Sequence, residues 1–214
     1  MMADTARPVV LVGAGGHGRV LLDLLLALRR TVLGVVDPDP TVTDRLPGGV
    51  VRLGGDEVFE SLDRSGVLLA NGIGSVGRVD RRRTMFRKLT DSGFRFATLV
   101  HPSAVVATDV ELGEGTQVMA GSIVQTGARI GSNVIVNTRA SVDHDCRIGD
   151  HCHLAPGVVL SGGVLVGHSC HLGTGAIVIQ NVTIGHEALI AAGAVVARAI
   201  APGDRVGRSG SLTP

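Results

Sequence analysis

Tryptophan and tyrosine are absent from this 214-residue chain, and four phenylalanines leave aromatics at 2%. A core of large rings is thereby excluded, although an apolar fraction of 44% is ample for one of aliphatic side chains. Neither sign of charge is in excess: 20 Lys and Arg face 19 Asp and Glu. That balance argues against a nucleic-acid or other polyanionic partner. No apolar run approaches the roughly 18 residues of a membrane span. Leu21–Leu28 is short and broken by Asp23, and no secretory signal pattern precedes it. A cytoplasmic protein with no membrane partner is expected. Cysteine is scarce too. Cys146, Cys152 and Cys170 are read as small core residues in a reducing compartment, not as disulfides or nucleophiles.

What the chain does have is a period. Steps of six from Val100 to Val196 meet Val, Leu or Ile every time, and the position four further on is small or β-branched, from Ala104 to Ile200. All three cysteines fall in that second set. A period of six is neither the helical repeat nor strand alternation. It predicts a hexapeptide β-helix, short parallel strands wound around a triangular prism with about 18 residues per coil. The narrow interior takes aliphatic layers and has no room for rings, which accounts for the missing aromatics. The prism is predicted to end near Ile200, where Pro202-Gly203 punctuates the chain and an extended polar tail follows.

Ahead of the repeats the pattern is α/β. After a frayed start over Met1–Arg7, a strand over Pro8–Val12 meets Gly13-Ala14-Gly15-Gly16-His17-Gly18, then a helix over about Arg19–Leu28 and a strand over Thr31–Val36 closing on Asp37. This is a βαβ unit with G-x-G-x-x-G at its first turn and an acid where a ribose hydroxyl would be read. The glycines allow a diphosphate to approach the backbone, and the helix N-terminus favours its charge. A glycine turn without a ligand is the plainer alternative. Leu53–Leu62 suggests a short helix, Val67–Ala70 a strand ending at Asn71-Gly72, Arg78–Ser92 a helix and Phe94–Leu99 a strand. The basic run Arg81, Arg82, Arg83, Arg87 and Lys88 is read as a solvated helix face. The expected division is a Rossmann-like domain over residues 1–97 and an all-β parallel β-helix with a short extension over 98–214. The first domain is too small for both halves of a dinucleotide fold and suits one nucleotide diphosphate carrying another group.

Five of the eight histidines lie between His144 and His171, and His186 follows. His153 and His171 are one coil apart, as are His168 and His186, so each pair stacks; with no outward acid or thiol at matching spacing, hydrogen-bonding histidines are expected and no metal. His144 and His153 are half a coil apart and lie on different sides of one prism. They can share a site only across an interface between two prisms. Asp143 and Asp145 flank His144; adjacent strand residues diverge, so at most one should hold the imidazole. A carboxylate on one ring nitrogen raises the basicity of the other, as a general base requires. A surface histidine in a polar turn is the alternative.

Three stretches, Val10-Leu-Val-Gly-Ala-Gly-Gly-His-Gly18, Val136-Asn-Thr-Arg-Ala-Ser-Val-Asp-His-Asp-Cys-Arg-Ile-Gly149 and Leu172-Gly-Thr-Gly-Ala-Ile-Val178, together with the repeats between them, cover nearly the whole chain. In these it resembles the hexapeptide-repeat acetyltransferases with an N-terminal nucleotide-sugar-binding domain, the bacterial family of bacillosamine and perosamine N-acetyltransferases and sialic-acid O-acetyltransferases.

The resemblance implies a left-handed wind, acetyl-CoA as co-substrate, a nucleotide-linked amino sugar as acceptor and a homotrimer with intersubunit active sites. It implies His144 as general base, oriented by Asp145, and Asn137 as a sugar contact. For acetyl-CoA it implies His153 near the thioester, a Gly162 backbone N–H at the thioester carbonyl, and Thr174 and Ala192 along the pantetheine. On the nucleotide-sugar side it implies Gly13, Gly15, Gly16 and Gly18, His17 at phosphate or sugar, Asp37 at the nucleoside, and Asn71. The expected reaction is N-acetylation of a UDP-, GDP- or dTDP-linked 4-amino-4,6-dideoxy sugar for a bacterial glycan. O-acetylation of sialic acid, an NAD-dependent oxidoreductase and a non-catalytic solenoid are the competing readings.

Overall fold

A computed structural model describes residues 7–75 and 79–209. The expectations for residues 1–6, for Arg78 and for the tail beyond Ser209 lie outside those residues. Four parallel strands, β1 (Val9–Val12), β2 (Val32–Val36), β3 (Arg52–Gly54) and β4 (Leu68–Asn71), form a sheet in the order β3-β2-β1-β4. Val9–Val12 is buried at all four positions, as a central parallel strand covered on both faces should be. Helix α1 (Gly16–Ala27) buries Leu21, Leu22, Leu24 and Leu25 against it. The helix starts three residues earlier than the sequence predicts, inside the glycine motif. Its first turn packs so tightly on β1 that a Cβ at residue 18 would run into the Gly13 carbonyl oxygen; only glycine permits that approach.

Two other predicted elements differ. Leu53–Leu62 is not one helix: Arg52–Gly54 pairs with β2 as an edge strand, and a 3-10 turn covers Asp56–Glu60. Gly54 at φ 149° and Gly55 break any helix there. Phe94–Leu99 is not one strand either. Phe96 makes a single parallel bridge to Leu69, and Leu99–Val100 already pairs with Gln117–Val118 of the solenoid. The chain thus leaves the sheet and enters the first coil within three residues.

From Leu99 the chain is a left-handed parallel β-helix of two-residue strands. Up to Val195 each pairs with the strand 18 positions on, as Ile135 does with His153 and Ser141 with Val159, and in the last coil the step shortens to 16, Leu189 pairing with Arg205. The three faces hold seven, six and five strands. The aliphatic and small positions fill one continuous core from Val118 to Val206, the three cysteines buried in it as free thiols. From Gly115 to Gly193 each corner turns through a residue with φ near +60°, glycine at Gly121, Gly157 and Gly175 but a side-chain-bearing residue at Asn133, Arg139, Asp145 and His151. Gly203 takes the same conformation at φ 77°, and Arg205–Val206 pairs with Leu189–Ile190. The prism therefore continues past Ile200, because Pro202-Gly203 makes a corner and not a stop.

The outward positions give the faces different uses. Glu111, Arg129 and Arg147 point to solvent from one. On the seven-stranded face Leu99, Gln117, Ile135 and His153 are buried because the α/β domain docks there. The third carries an exposed apolar column, Val105, Ile123, Val159, Ile177 and Val195. Helix α2 (Asp80–Asp91) lies between sheet and prism, with Phe86 4.5 Å from Phe96 and 5.6 Å from His151 between ring centres. The basic run is therefore not wholly solvated. Arg82 is 1% exposed and donates to the carbonyls of Asn71 at 2.6 Å and Ile73 at 2.9 Å, while Arg83 reaches Glu187 across the interface at 2.8 Å.

Candidate active site

A cavity of about 800 Å³ opens beyond the carboxyl ends of β1, β2 and β4, where ligands bind in open parallel sheets. Gly13, Gly15, Gly16 and His17 form one wall, Asp37 a second, Ile73–Ser75 and Arg81 a third. The fourth wall belongs to the prism: Asn137, Thr138, His153 and Pro156. Nothing lies within 4 Å of a Cβ built on Gly15 or Gly16, so the start of α1 presents bare backbone to the cavity, as an anion site requires. Gly18, by contrast, is a packing glycine.

Asp37 accepts from Ala14 N–H at 2.7 Å and from Asp39 N–H at 2.9 Å, one carboxylate oxygen each. It braces the glycine loop while lining the cavity. His17 places Nε2 2.8 Å from Gln117 Oε1. Burial first, then the nearby Arg82 charge, lower its pKa to about 4, so the ring is neutral at neutral pH. His153 donates from Nδ1 to Ser75 Oγ at 2.6 Å and accepts at Nε2 from Asn137 Nδ2 at 3.0 Å, an assignment that follows from Asn137 Oδ1 being taken by Thr138 N–H. Burial, reinforced by His171, takes its pKa to about 3.

Asn71 is not on the wall. It is 1% exposed, its amide donating to Arg82 O at 3.2 Å and Asn133 Oδ1 at 3.1 Å, and its Oδ1 accepting from Ile73 N–H. It joins the two domains instead of meeting substrate, because the strand end it occupies is covered by the prism.

His144 and Asp145 lie at another corner, outside this cavity. His144 Nδ1 is 2.8 Å from Asp145 Oδ2, and its own N–H is 2.8 Å from Asp143 Oδ1. One carboxylate alone holds the ring. Asp145, at φ 60°, occupies the left-handed corner position, which brings adjacent side chains together where a strand would separate them. The Asp145 hydrogen bond and then Asp143 raise the His144 pKa, and Nε2 has no protein partner among the described residues. Gly162 sits one coil on, beneath the ring: a Cβ there would lie 2.5 Å from His144 Nε2. Thr174 and Ala192 are exposed one coil apart, in the column that begins with Thr138 and Pro156 at the cavity. The residues that the resemblance assigns to acetyl-CoA thus divide between two corners, Gly162 with His144, and His153, Thr174 and Ala192 on the cavity side.

The histidine pairs meet one coil apart, His153 edge-on to His171 at 5.0 Å and His168 stacked on His186 at 4.9 Å. No group of three or more His, Cys, Asp or Glu among the described residues is arranged to hold a metal ion. Sequence reasoning missed Gln117, Ser75 and Arg81. Gln117 carried no distinguishing signal: its outward column, Leu99, Gln117, Ile135, His153, His171 and Leu189, ends in Arg205, and the column from Val105 to Val195 on another face is uncharged throughout. Ser75 and Arg81 carry none either, because tertiary contact alone brings them to the cavity.

Residues 8–89 match the family described as PglD N-terminal domain, and residues 127–162 match the bacterial transferase hexapeptide (six repeats). The chain is 38% identical to UDP-N-acetylbacillosamine N-acetyltransferase of Bacillus subtilis (strain 168) over 118 residues, 52% of this chain and 51% of that protein. The match thus spans about half the length of that curated relative. Similarity to solved structures is more extensive. A variant of perosamine N-acetyltransferase from Caulobacter crescentus, in complex with CoA and GDP-perosamine, is 40% identical, with a TM-score of 0.89 and 97% of each chain covered. The acetyltransferase domain of PglB from Neisseria gonorrhoeae FA1090, in complex with acetyl coenzyme A, is 34% identical at a TM-score of 0.87, covering 97% of this chain and 98% of that one.

Proposed function

The chain belongs to the family of hexapeptide-repeat nucleotide-sugar N-acetyltransferases with a PglD-type N-terminal domain, and on that premise we propose that it transfers acetyl from acetyl-CoA to the amine of a nucleotide-linked 4-amino-4,6-dideoxy sugar, in the cytoplasm, for glycan synthesis. One observation carries the reading: a single cavity joins the bare N-terminus of α1 to Asn137 and His153 of the prism. A diphosphate held at the glycine loop would direct its sugar toward the repeats. The adjoining cleft of about 330 Å³, which shares Gly13, Asp37 and Arg81 with the cavity, has room for the base.

Within one chain the His144–Asp145 pair does not line this cavity. The exposed column Val105, Ile123, Val159, Ile177 and Val195 supplies the remedy, since an apolar stripe of this kind marks an interface. Packing that face on a second prism in a closed threefold ring buries the column and brings His144 of one subunit to the cavity of the next. Acetyl-CoA would lie in the groove between prisms, along Thr174 and Ala192.

His144 would then act from Nε2 as general base on the attacking amine, Asp145 holding Nδ1–H and the tautomer. The Gly162 N–H, adjacent to the ring and without a protein partner among the described residues, would donate to the thioester oxygen as charge develops there. Coenzyme A leaves as the thiol. Holding both substrates in one groove supplies much of the acceleration, since it makes the attack effectively unimolecular.

The test is thiol release from acetyl-CoA against uridine-, thymidine- and guanosine-diphosphate 4-amino-4,6-dideoxy sugars, with sialic acid as the O-acetylation arm. Turnover of one amino sugar, reduced ~10²–10⁴-fold in His144→Ala, is the expected result. Turnover of sialic acid alone moves the assignment to O-acetylation, and full activity in His144→Ala removes the base.

A further inference from the structure

We propose that Gln117, a residue of the solenoid, is a positioning residue: it fixes His17 in the Nε2–H tautomer, so that the ring offers the cavity a lone pair at Nδ1 and receives a hydrogen-bond donor on the sugar, not a phosphate oxygen. The inference rests on the nucleotide-sugar reading above and assigns the part of that ligand His17 meets.

Three hydrogen bonds fix the tautomer. Gln117 is fully buried, and its Nε2 donates to the Asn71 carbonyl at 2.9 Å. A flipped carboxamide would set Oε1 against that carbonyl, acceptor against acceptor, so the orientation is determined. Oε1 therefore faces His17 Nε2 at 2.8 Å, and that nitrogen must carry the proton. The Asn71 carbonyl is held in turn by Arg82 Nη1 at 2.6 Å, so the whole chain is anchored in the buried interface.

Nδ1 has no protein partner among the described residues, and His17 lines the cavity. In a neutral imidazole of this tautomer Nδ1 only accepts. A phosphate oxygen at neutral pH also only accepts, so the two cannot bond. An imidazolium could donate, but burial and the Arg82 charge lower the pKa of the ring to about 4 in the unliganded chain. The diphosphate is left to the α1 N-terminus and to Arg81, and His17 to a sugar hydroxyl or amine. Because Gln117 lies in the prism and His17 in the α/β domain, the sugar contact is set only when the domains are docked.

Nitrogen spectra of the full chain labelled with ¹⁵N-histidine test the tautomer without any substitution. The expected result is a His17 ring protonated at Nε2 alone at neutral pH; a proton on Nδ1 overturns the proposal. Binding then tests the consequence. Gln117→Glu stabilises a second proton on His17 and removes the acceptor. It should weaken the nucleotide amino sugar about tenfold, the worth of roughly one hydrogen bond, and raise KM with little change in kcat. The nucleoside diphosphate alone should bind as well or better. Gln117→Met, which releases the tautomer without adding charge, should show the same split more weakly. Equal weakening of both ligands in the two variants overturns the proposal. If no nucleotide amino sugar binds the wild-type chain, the function proposed above fails, and the nitrogen spectrum still decides the tautomer.

Discussion

Asp145 and Gly162 show how much a single residue decides when chain geometry presses side chains together. Asp145 is the largest cause of the raised His144 pKa. The general base proposed above must be unprotonated, so activity is expected to fall as pH drops through that pKa, with the acid limb of kcat/KM above the ordinary imidazole value. Asp145→Asn is expected to move the limb to lower pH and cut kcat ~10-fold; a pH–rate profile in which the limb stays put rules out the pair. Gly162→Ala sets a methyl group 2.5 Å from His144 Nε2. The ring must shift, and a displacement near 1 Å costs about 10²-fold. Steady-state rates with unchanged thermal stability would separate this from misfolding. The flanking aspartates of His144 were visible in the sequence. Gly162 was named there for its N–H alone; its role beneath the ring follows from the 18-residue coil only once both positions are known to be corners.

At the scale of the element, α2 departs most from expectation. Five basic residues in its sequence read as a solvated face, yet the helix is wedged between sheet and prism, with Arg82 buried among carbonyls. Its pKa is lowered by burial to about 9, so it stays charged at neutral pH. Composition could not reveal this, because a buried arginine bonded to backbone oxygens looks like any other arginine. The charge matters to its neighbours. It contributes, after burial, to lowering His17 and His151 to about 4 and His153 to about 3. All three rings sit on the prism or face it and are neutral in the folded protein. Below about pH 6.5 the unfolded chain takes up protons that the folded one refuses, so stability rises with pH between the folded and unfolded values. Thermal midpoints should therefore fall steadily from pH 6.5 toward 4. A midpoint that is flat across that window would contradict the neutral assignments.

For the whole molecule the question is what covers the exposed column from Val105 to Val195. Val159 is 39% exposed and Val195 50% exposed, part of a ladder that only Ser141 interrupts and too apolar to leave to solvent. Val159→Glu places one charge per subunit in that contact. Sedimentation should show the wild-type chain as a trimer and this variant as a monomer, with activity lost although His144 and the cavity are intact. A wild-type monomer with full activity would remove the intersubunit site and require His144 to reach the sugar within one chain.

The period of six, read from the sequence alone, determined the prism, because one aliphatic residue per strand must point inward at every step and any other register would expose the whole set. The glycine motif with Asp37 determined the nucleotide-type turn in the same way, through backbone requirements that only certain residues meet. Tertiary structure alone decided which face of the prism receives the α/β domain, that Asn71 and Arg82 belong to that junction, and that His17 is held by Gln117, a hundred residues away in sequence. These contacts leave little mark on either segment, because each depends on the position of polar atoms from two independently folded surfaces, and local pattern fixes only one surface at a time.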